Sequence, residues 1–201
     1  MVTVRQMERE WEGRKYEKLL AGLTAARPEQ LFTFDPANGR AIPAAAIALV
    51  RLDELNQSHV PLYGRLVRAL LASQSATDGG WGDPAVTALC LRALMLSRGN
   101  GLAIERGLDY LAGLQKDDGL WPAGPIRRMA ADPVTTAFVL YQLGDKPVFR
   151  AAVRFDDAVQ WFESKGKRLS GDAKDWWMLA RMKCLAPVHA PAMFPEMVTL
   201  S

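Results

Sequence analysis

A sequence pattern that occurs twice in this chain restricts its fold more than any other feature. Residues 74–83 read QSATDGGWGD, and residues 115–121 read QKDDGLW. In each copy an amphipathic segment ends in Gln, a turn with acidic residues and glycine leads to Trp, and an Asp-Pro pair opens a second apolar segment. Self-similarity of this kind is typical of stacked supersecondary units. The matching positions are Gln74 and Gln115, Gly79 and Gly119, Trp81 and Trp121, Asp83 and Asp132, Thr87 and Thr136, and Ala88 and Ala137.

The apolar residues around each motif predict a pair of unlike helices. Before the Gln, leucines recur every three or four residues beside charged positions, which predicts a helix covered on one face only. After the Asp-Pro pair, residues 84–96 and 134–143 are apolar on nearly every side, which predicts burial on all faces. Asp83 and Asp132 suit the N-cap, and the proline after each suits the first helical position. The repeating unit is therefore an outer amphipathic helix, a tight turn and an inner buried helix.

Weaker copies of this unit flank the two clear ones. Downstream, residues 155–162 form an outer stripe and residues 173–185 an inner helix, whereas upstream residues 42–55 suit an inner helix with residues 6–23 as its outer partner. The predicted fold class is all-α, with about seven helices in α/α-hairpin repeats. We expect one domain over residues 1–201, comprising a degenerate N-terminal hairpin (1–60), two well-formed repeats (61–145), a degenerate repeat (146–186) and a proline-rich surface tail (187–201).

Composition excludes several classes of protein. The 201 residues are 49% apolar and 23% charged, which suits one globular domain. The net charge of +3 is dispersed and no run of Lys or Arg exceeds two, which argues against a nucleic-acid surface. No apolar stretch is long enough to span a membrane, and the charged N-terminus lacks a signal-peptide core. Cys90 and Cys184 lie in apolar segments, so we expect buried thiols and a cytoplasmic protein.

The two motifs resemble the QW motif of squalene and oxidosqualene cyclases, in which Gln is followed by Gly, any residue and Trp. The chain is thus similar to the α/α-toroid repeats of terpene cyclases and protein prenyltransferases, and the resemblance implies a partial toroid. The Gln and Trp of such motifs are structural: the indole stacks across the end of the preceding helix, and the amide satisfies backbone groups left without partners at helix ends. A closed toroid of this family uses about six hairpins, whereas this chain has three to four.

The catalytic residues that the resemblance would imply are replaced here. In protonation-initiated cyclases the sequence Asp-x-Asp-Asp-Thr-Ala opens an inner helix and its central acid protonates the substrate. Ala85 and Val86 stand at the two acidic positions of the first repeat, and Val134 and Thr135 stand at those of the second. The chain also lacks the aspartate-rich clusters that bind magnesium and the Asp, Cys and His set that binds zinc in prenyltransferases. We therefore predict no catalytic residue, no metal site and no cofactor.

Two functions from different classes remain at this point. The first is a non-catalytic binding or scaffold domain with an apolar concave surface for a ligand or protein partner. The alternative is an isoprenoid- or lipid-handling protein, or one subunit of a split terpene cyclase or prenyltransferase. An open arc of repeats also suits a homo-oligomer, because uncovered repeat ends tend to be buried. The candidate ligand residues are Arg127 and Arg128 for an anion, in the segment inserted at residues 122–130, and Tyr141, Trp176 and Trp177 for an apolar pocket; solvated arginines and plain core are the simpler interpretations.

Overall fold

Every regular element in the described part of the chain is a helix. The computed structural model describes residues 41–165 and 168–186, and these ranges contain only one isolated β-bridge, between Pro122 and Ala131, besides the helices. The eight helices are α1 (Ala41–Glu54), α2 (Pro61–Ser73), α3 (Pro84–Leu96), α4 (Gly101–Leu114), α5 (Pro133–Leu143), α6 (Pro147–Ala152), α7 (Phe155–Lys165) and α8 (Gly171–Leu185). None of them is long and apolar enough to cross a membrane.

The all-α prediction is confirmed, and one helix was missed. The seven helical segments predicted within these ranges are all present. The structure adds α6, which has six residues and begins at Pro147, and a segment so short shows no apolar period. The predicted outer helix at residues 6–23 and the predicted tail at residues 187–201 lie outside the described residues.

The helices pack in a repeat-like order of inner and outer elements. The inner helices form a row in which α1 packs on α3, α3 on α5, and α5 on α8. On the outer side, α2 packs on α1, α4 on α3, and α7 on α8, while the added α6 contacts α4. The core lies between the two layers and continues along the row of inner helices.

Burial follows the predicted division, with two differences. Helix α5 is covered on nearly all sides, and α4 buries its leucines while Glu105 and Asp109 remain exposed. In α2 the buried face is centred on Tyr63 and Leu70, and Leu62 lies at the edge of this face and is exposed. Helix α8 is an inner helix by position, but only one of its faces is buried.

Candidate functional site

The Trp of each motif bonds to the end of the preceding outer helix. The indole Nε1 of Trp81 donates to the carbonyl of Leu70 at 2.7 Å, and that of Trp121 donates to the carbonyl of Leu111 at 2.8 Å. Both carbonyls lie in the last turn of the outer helix, where helical acceptors run short of partners. The two rings are buried in equivalent positions, which confirms the predicted structural role of the motif Trp.

The same Trp residues also bond to the beginning of the following inner helix. The main-chain N–H of Trp81 donates to the hydroxyl of Thr87 at 3.0 Å, and that of Trp121 donates to the hydroxyl of Thr136 at 2.9 Å. Both hydroxyls are buried in the first turn of their helix, so a buried N–H finds its partner there. This bond explains why both copies have Thr at this position.

The motif Gln connects its turn to the next hairpin. Each amide Nε2 donates at 2.8 Å to the carbonyl of the glycine in its own turn. Gln74 also donates to the carbonyl of Ala103 in α4 at 2.8 Å, and Gln115 exchanges two bonds with the backbone of Arg154, just before α7. The sequence suggested that Gln would satisfy groups at helix ends; the structure shows that it bonds to the turn and to the first residues of the following outer segment.

The turn glycine of each motif is required by conformation and by space. Gly79 and Gly119 have φ values of +79° and +82°, in the left-handed region that favours glycine. A Cβ atom on Gly79 would lie 2.6 Å from the carbonyl oxygen of Arg106, and one on Gly119 would lie 2.4 Å from the amide nitrogen of Ala158. The backbone of each turn therefore lies directly against the next outer helix.

The two aspartates at the inner-helix starts are N-caps, as predicted. The Asp83 carboxylate accepts from the amide of Val86 at 2.8 Å. The Asp132 carboxylate accepts from the amides of Val134 and Thr135 at 3.3 and 3.0 Å, and also from the Thr135 hydroxyl. Both carboxylates thus use their oxygens on the first turn of their own helix.

Tyr110 supports the first motif and was missed by sequence reasoning. Its ring lies under the turn, since a Cβ on Gly80 would be 2.7 Å from it, and its hydroxyl donates to the carbonyl of Gly82. Burial, and then the charges of Asp78 and Asp83, raise the pKa of Tyr110 to about 12. Hydrogen bonds from Ser75 and from the Gly80 amide lower the pKa of Asp78. The signal available in the sequence was the position of Tyr110 on the apolar stripe of α4, four residues before Leu114.

The two candidate anion-binding arginines lie in the exposed insert. A turn closed by the Met129 amide and the Ile126 carbonyl places Arg127 and Arg128 between them. Arg127 lies 3.7 Å from Asp117, which also pairs with Arg154 at 3.0 Å. The positive charge at this position is therefore partly offset. A shallow depression of about 400 Å³ beside the insert is lined by Lys116, Asp117, Asp118 and Arg127.

The three candidate aromatic residues are packed into the core, in two groups. Tyr141 and Trp176 have ring centroids 5.2 Å apart, and Phe138 meets Trp176 edge-on at 4.8 Å. Trp177 lies apart from these and stacks on Phe162 at 4.6 Å. The structure therefore brings Tyr141 and Trp176 together, and it separates both from the arginines of the insert.

A polar chain across the inner helices was also not predicted. The guanidinium of Arg92 on α3 donates to the side chain of Gln142 on α5 at 2.9 Å and lies 3.5 Å from the carboxylate of Glu54 on α1. Gln142 is buried, so this bond satisfies a polar group inside the core. The chain connects the last turns of three successive inner helices.

The thiols are buried as predicted. Burial raises the pKa of Cys90 well above its usual range and raises the pKa of Cys184 to about 12. His59 lies in the exposed turn between α1 and α2, and His189 lies outside the described residues. Within residues 41–165 and 168–186 no three His, Cys, Asp or Glu side chains are grouped so that they could hold a metal ion.

Comparison of the chain with protein-family models, with curated protein sequences and with solved structures gives no match. The chemistry available to the motif side chains follows from the contacts that they make. The indole and amide groups donate to backbone carbonyls, and the two carboxylates accept from backbone amides. These bonds connect each hairpin to the next.

Proposed function

We propose that this chain is a helical-repeat scaffold or binding domain, a shortened relative of the α/α-toroid proteins that acts by holding a partner and not by transforming a substrate. One observation carries the proposal: the carboxylates of Asp83 and Asp132, the acids that survive at the inner-helix starts, are bonded to the amides of their own helices. An acid that protonates an alkene must direct its proton into an apolar cavity. A carboxylate that caps a helix directs its lone pairs toward N–H groups instead.

The relation to the toroid repeats is supported by the two motifs. Both make the same set of bonds, from Trp to the outer helix, from Thr to Trp, and from Gln to the next outer segment. This set holds successive hairpins in a fixed relation, which is what a repeat scaffold requires. The residues that resemble the family are thus the ones that build the repeat.

The experiment is incubation of the purified chain with squalene, oxidosqualene and the common prenyl diphosphates, with and without magnesium or zinc. We expect no turnover above the buffer control. The matched variants are Asp83→Asn and Asp132→Asn, because Asn keeps the N-cap and removes the acid. Turnover by the parent chain that either variant abolishes would overturn the proposal.

Native mass spectrometry of the same preparation separates the two remaining classes of ligand. A co-purified isoprenoid or other lipid, without turnover, would favour a lipid-handling protein. A protein partner captured without lipid supports the scaffold.

A further inference from the structure

The exposed face of α8 carries three large apolar side chains in a row. Met178, Met182 and Leu185 are 49%, 61% and 52% exposed. Their spacing of four and then three residues places them on one side of the helix, opposite the buried Trp176 and Trp177. We call these three exposed residues the α8 stripe.

The position of α8 indicates what kind of element suits this stripe. In the inner row α3 and α5 each have an inner helix on both sides, whereas α8 packs on α5 at the end of the described row. The ends of repeat arrays need a polar surface or a partner. The α8 stripe is apolar, so a further helix is the expected neighbour.

The rest of the described surface has no equivalent stripe. From α1 to α7, each helix carries at most one exposed large apolar residue, and α1, at the other end of the inner row, carries none within its bounds. Head-to-tail stacking of α8 on α1 of another copy would therefore set an apolar stripe against a surface without one. The surface that best matches the α8 stripe is the same stripe on another copy, which is the arrangement of a closed two-fold dimer.

The charges of α8 select the direction of pairing. Its first half has Asp172, Lys174 and Asp175, and its second half has Arg181 and Lys183. An antiparallel pair sets the acidic half of one helix against the basic half of the other, whereas a parallel pair would set like on like. Opposed helix dipoles favour the same direction.

We propose that the α8 stripes of two copies pack together as an antiparallel helix pair around a two-fold axis. This inference goes beyond the proposed function, because the dimer does not depend on what the chain binds. One stripe on one helix gives a contact below the size of a standard interface. The dimer is therefore weak, with a Kd on the order of micromolar.

The first test is analytical ultracentrifugation of the full chain across the micromolar range. The expected result is a mass that rises from monomer to dimer. Met182→Glu should raise the dimer Kd by at least about 30-fold, because two carboxylates would meet in the seam. Met129→Glu, at an exposed methionine of the insert, should leave it unchanged. Circular dichroism confirms that both variants fold.

Two outcomes overturn the inference. One is a chain that stays monomeric at every concentration, as expected if residues 187–201, which follow α8 directly, or another protein covers the stripe. The other is a dimer that Met182→Glu does not weaken.

A second variant tests the location of the contact even if Met182→Glu fails to fold. A short bis-maleimide should link Met178→Cys into a dimer, while Leu102→Cys on α4 and the parent chain should remain unlinked. Leu102 is exposed, and Cys90 and Cys184 are buried and do not compete. Linkage of Leu102→Cys but not of Met178→Cys would place the interface elsewhere. Neither outcome of this test changes the turnover assay, so the two proposals fail separately.

Discussion

Gly107 lies inside α4 at the point where the first motif meets this helix, and replacing it with Ala tests that contact. A Cβ atom there would lie 2.9 Å from Cζ3 of Trp81 and 2.8 Å from Cδ2 of Leu91. Both side chains are buried, and the Trp81 indole is held by its bond to the carbonyl of Leu70. The matched control is Gly113→Ala in the same helix, because Gly113 is exposed and has nothing within 4 Å of a Cβ atom.

The magnitude follows from two opposing effects. Ala is favoured over Gly inside a helix by about 1 kcal/mol, and this gain is common to both variants. An added methyl in a well-packed core costs about 1–3 kcal/mol, and only Gly107→Ala incurs it. The free energy of unfolding of Gly107→Ala should therefore be about 1–3 kcal/mol below that of Gly113→Ala. In a chain of this size the corresponding difference in Tm is about 2–12 °C.

The assay is thermal and urea unfolding of both variants and the parent, followed by the helical signal in circular dichroism. The expected order of stability is Gly113→Ala, then the parent, with Gly107→Ala at or below the parent. If Gly107→Ala were as stable as Gly113→Ala, Trp81 would not lie against α4 at this position. The account of how the first motif connects two hairpins would then be wrong.

Three further predictions concern the motif side chains. Trp81→Ala and Trp121→Ala should each destabilise by roughly 3–5 kcal/mol, because both remove a buried indole; melting within a degree or two of the parent would contradict this. Gln115→Leu should cost about 1–3 kcal/mol in urea unfolding and more than Gln74→Leu, because Gln115 is buried and an amide N–H loses its acceptor; an equal, small effect would count against the role of Gln115. Tyr110 should ionise near pH 12 in an absorbance titration at 295 nm, and Tyr110→Phe should remove that late step. Since its folded pKa lies above the unfolded value of about 10, the stability that it contributes is complete below pH 10 and is lost as the pH rises toward 12; a full tyrosine signal by pH 11 would refute the burial.

The sequence alone determined the helical character and the order of elements. Asp83 and Asp132 are caps because a carboxylate next to Pro at a helix start satisfies amides within three residues of itself. The complete burial of α5 was legible because an all-apolar helix has no face that favours water. These properties are local, and a short window of sequence contains both partners of each contact.

Only the tertiary structure decided which distant groups meet. Gln74 bonds to Ala103, and Arg92 joins Glu54 to Gln142, across separations of 29, 38 and 50 positions. No periodicity records such pairs, because many partners at that separation are equally compatible with the helices themselves.

The same limit applies to α8, whose aromatic and apolar residues suggested an inner helix. Met178 and Met182 are apolar like their buried neighbours, yet they face outward. A helical period gives the direction of a side chain relative to its own axis, and burial depends on whether another element lies in that direction. That is a property of the packed molecule, set by where the row of inner helices ends.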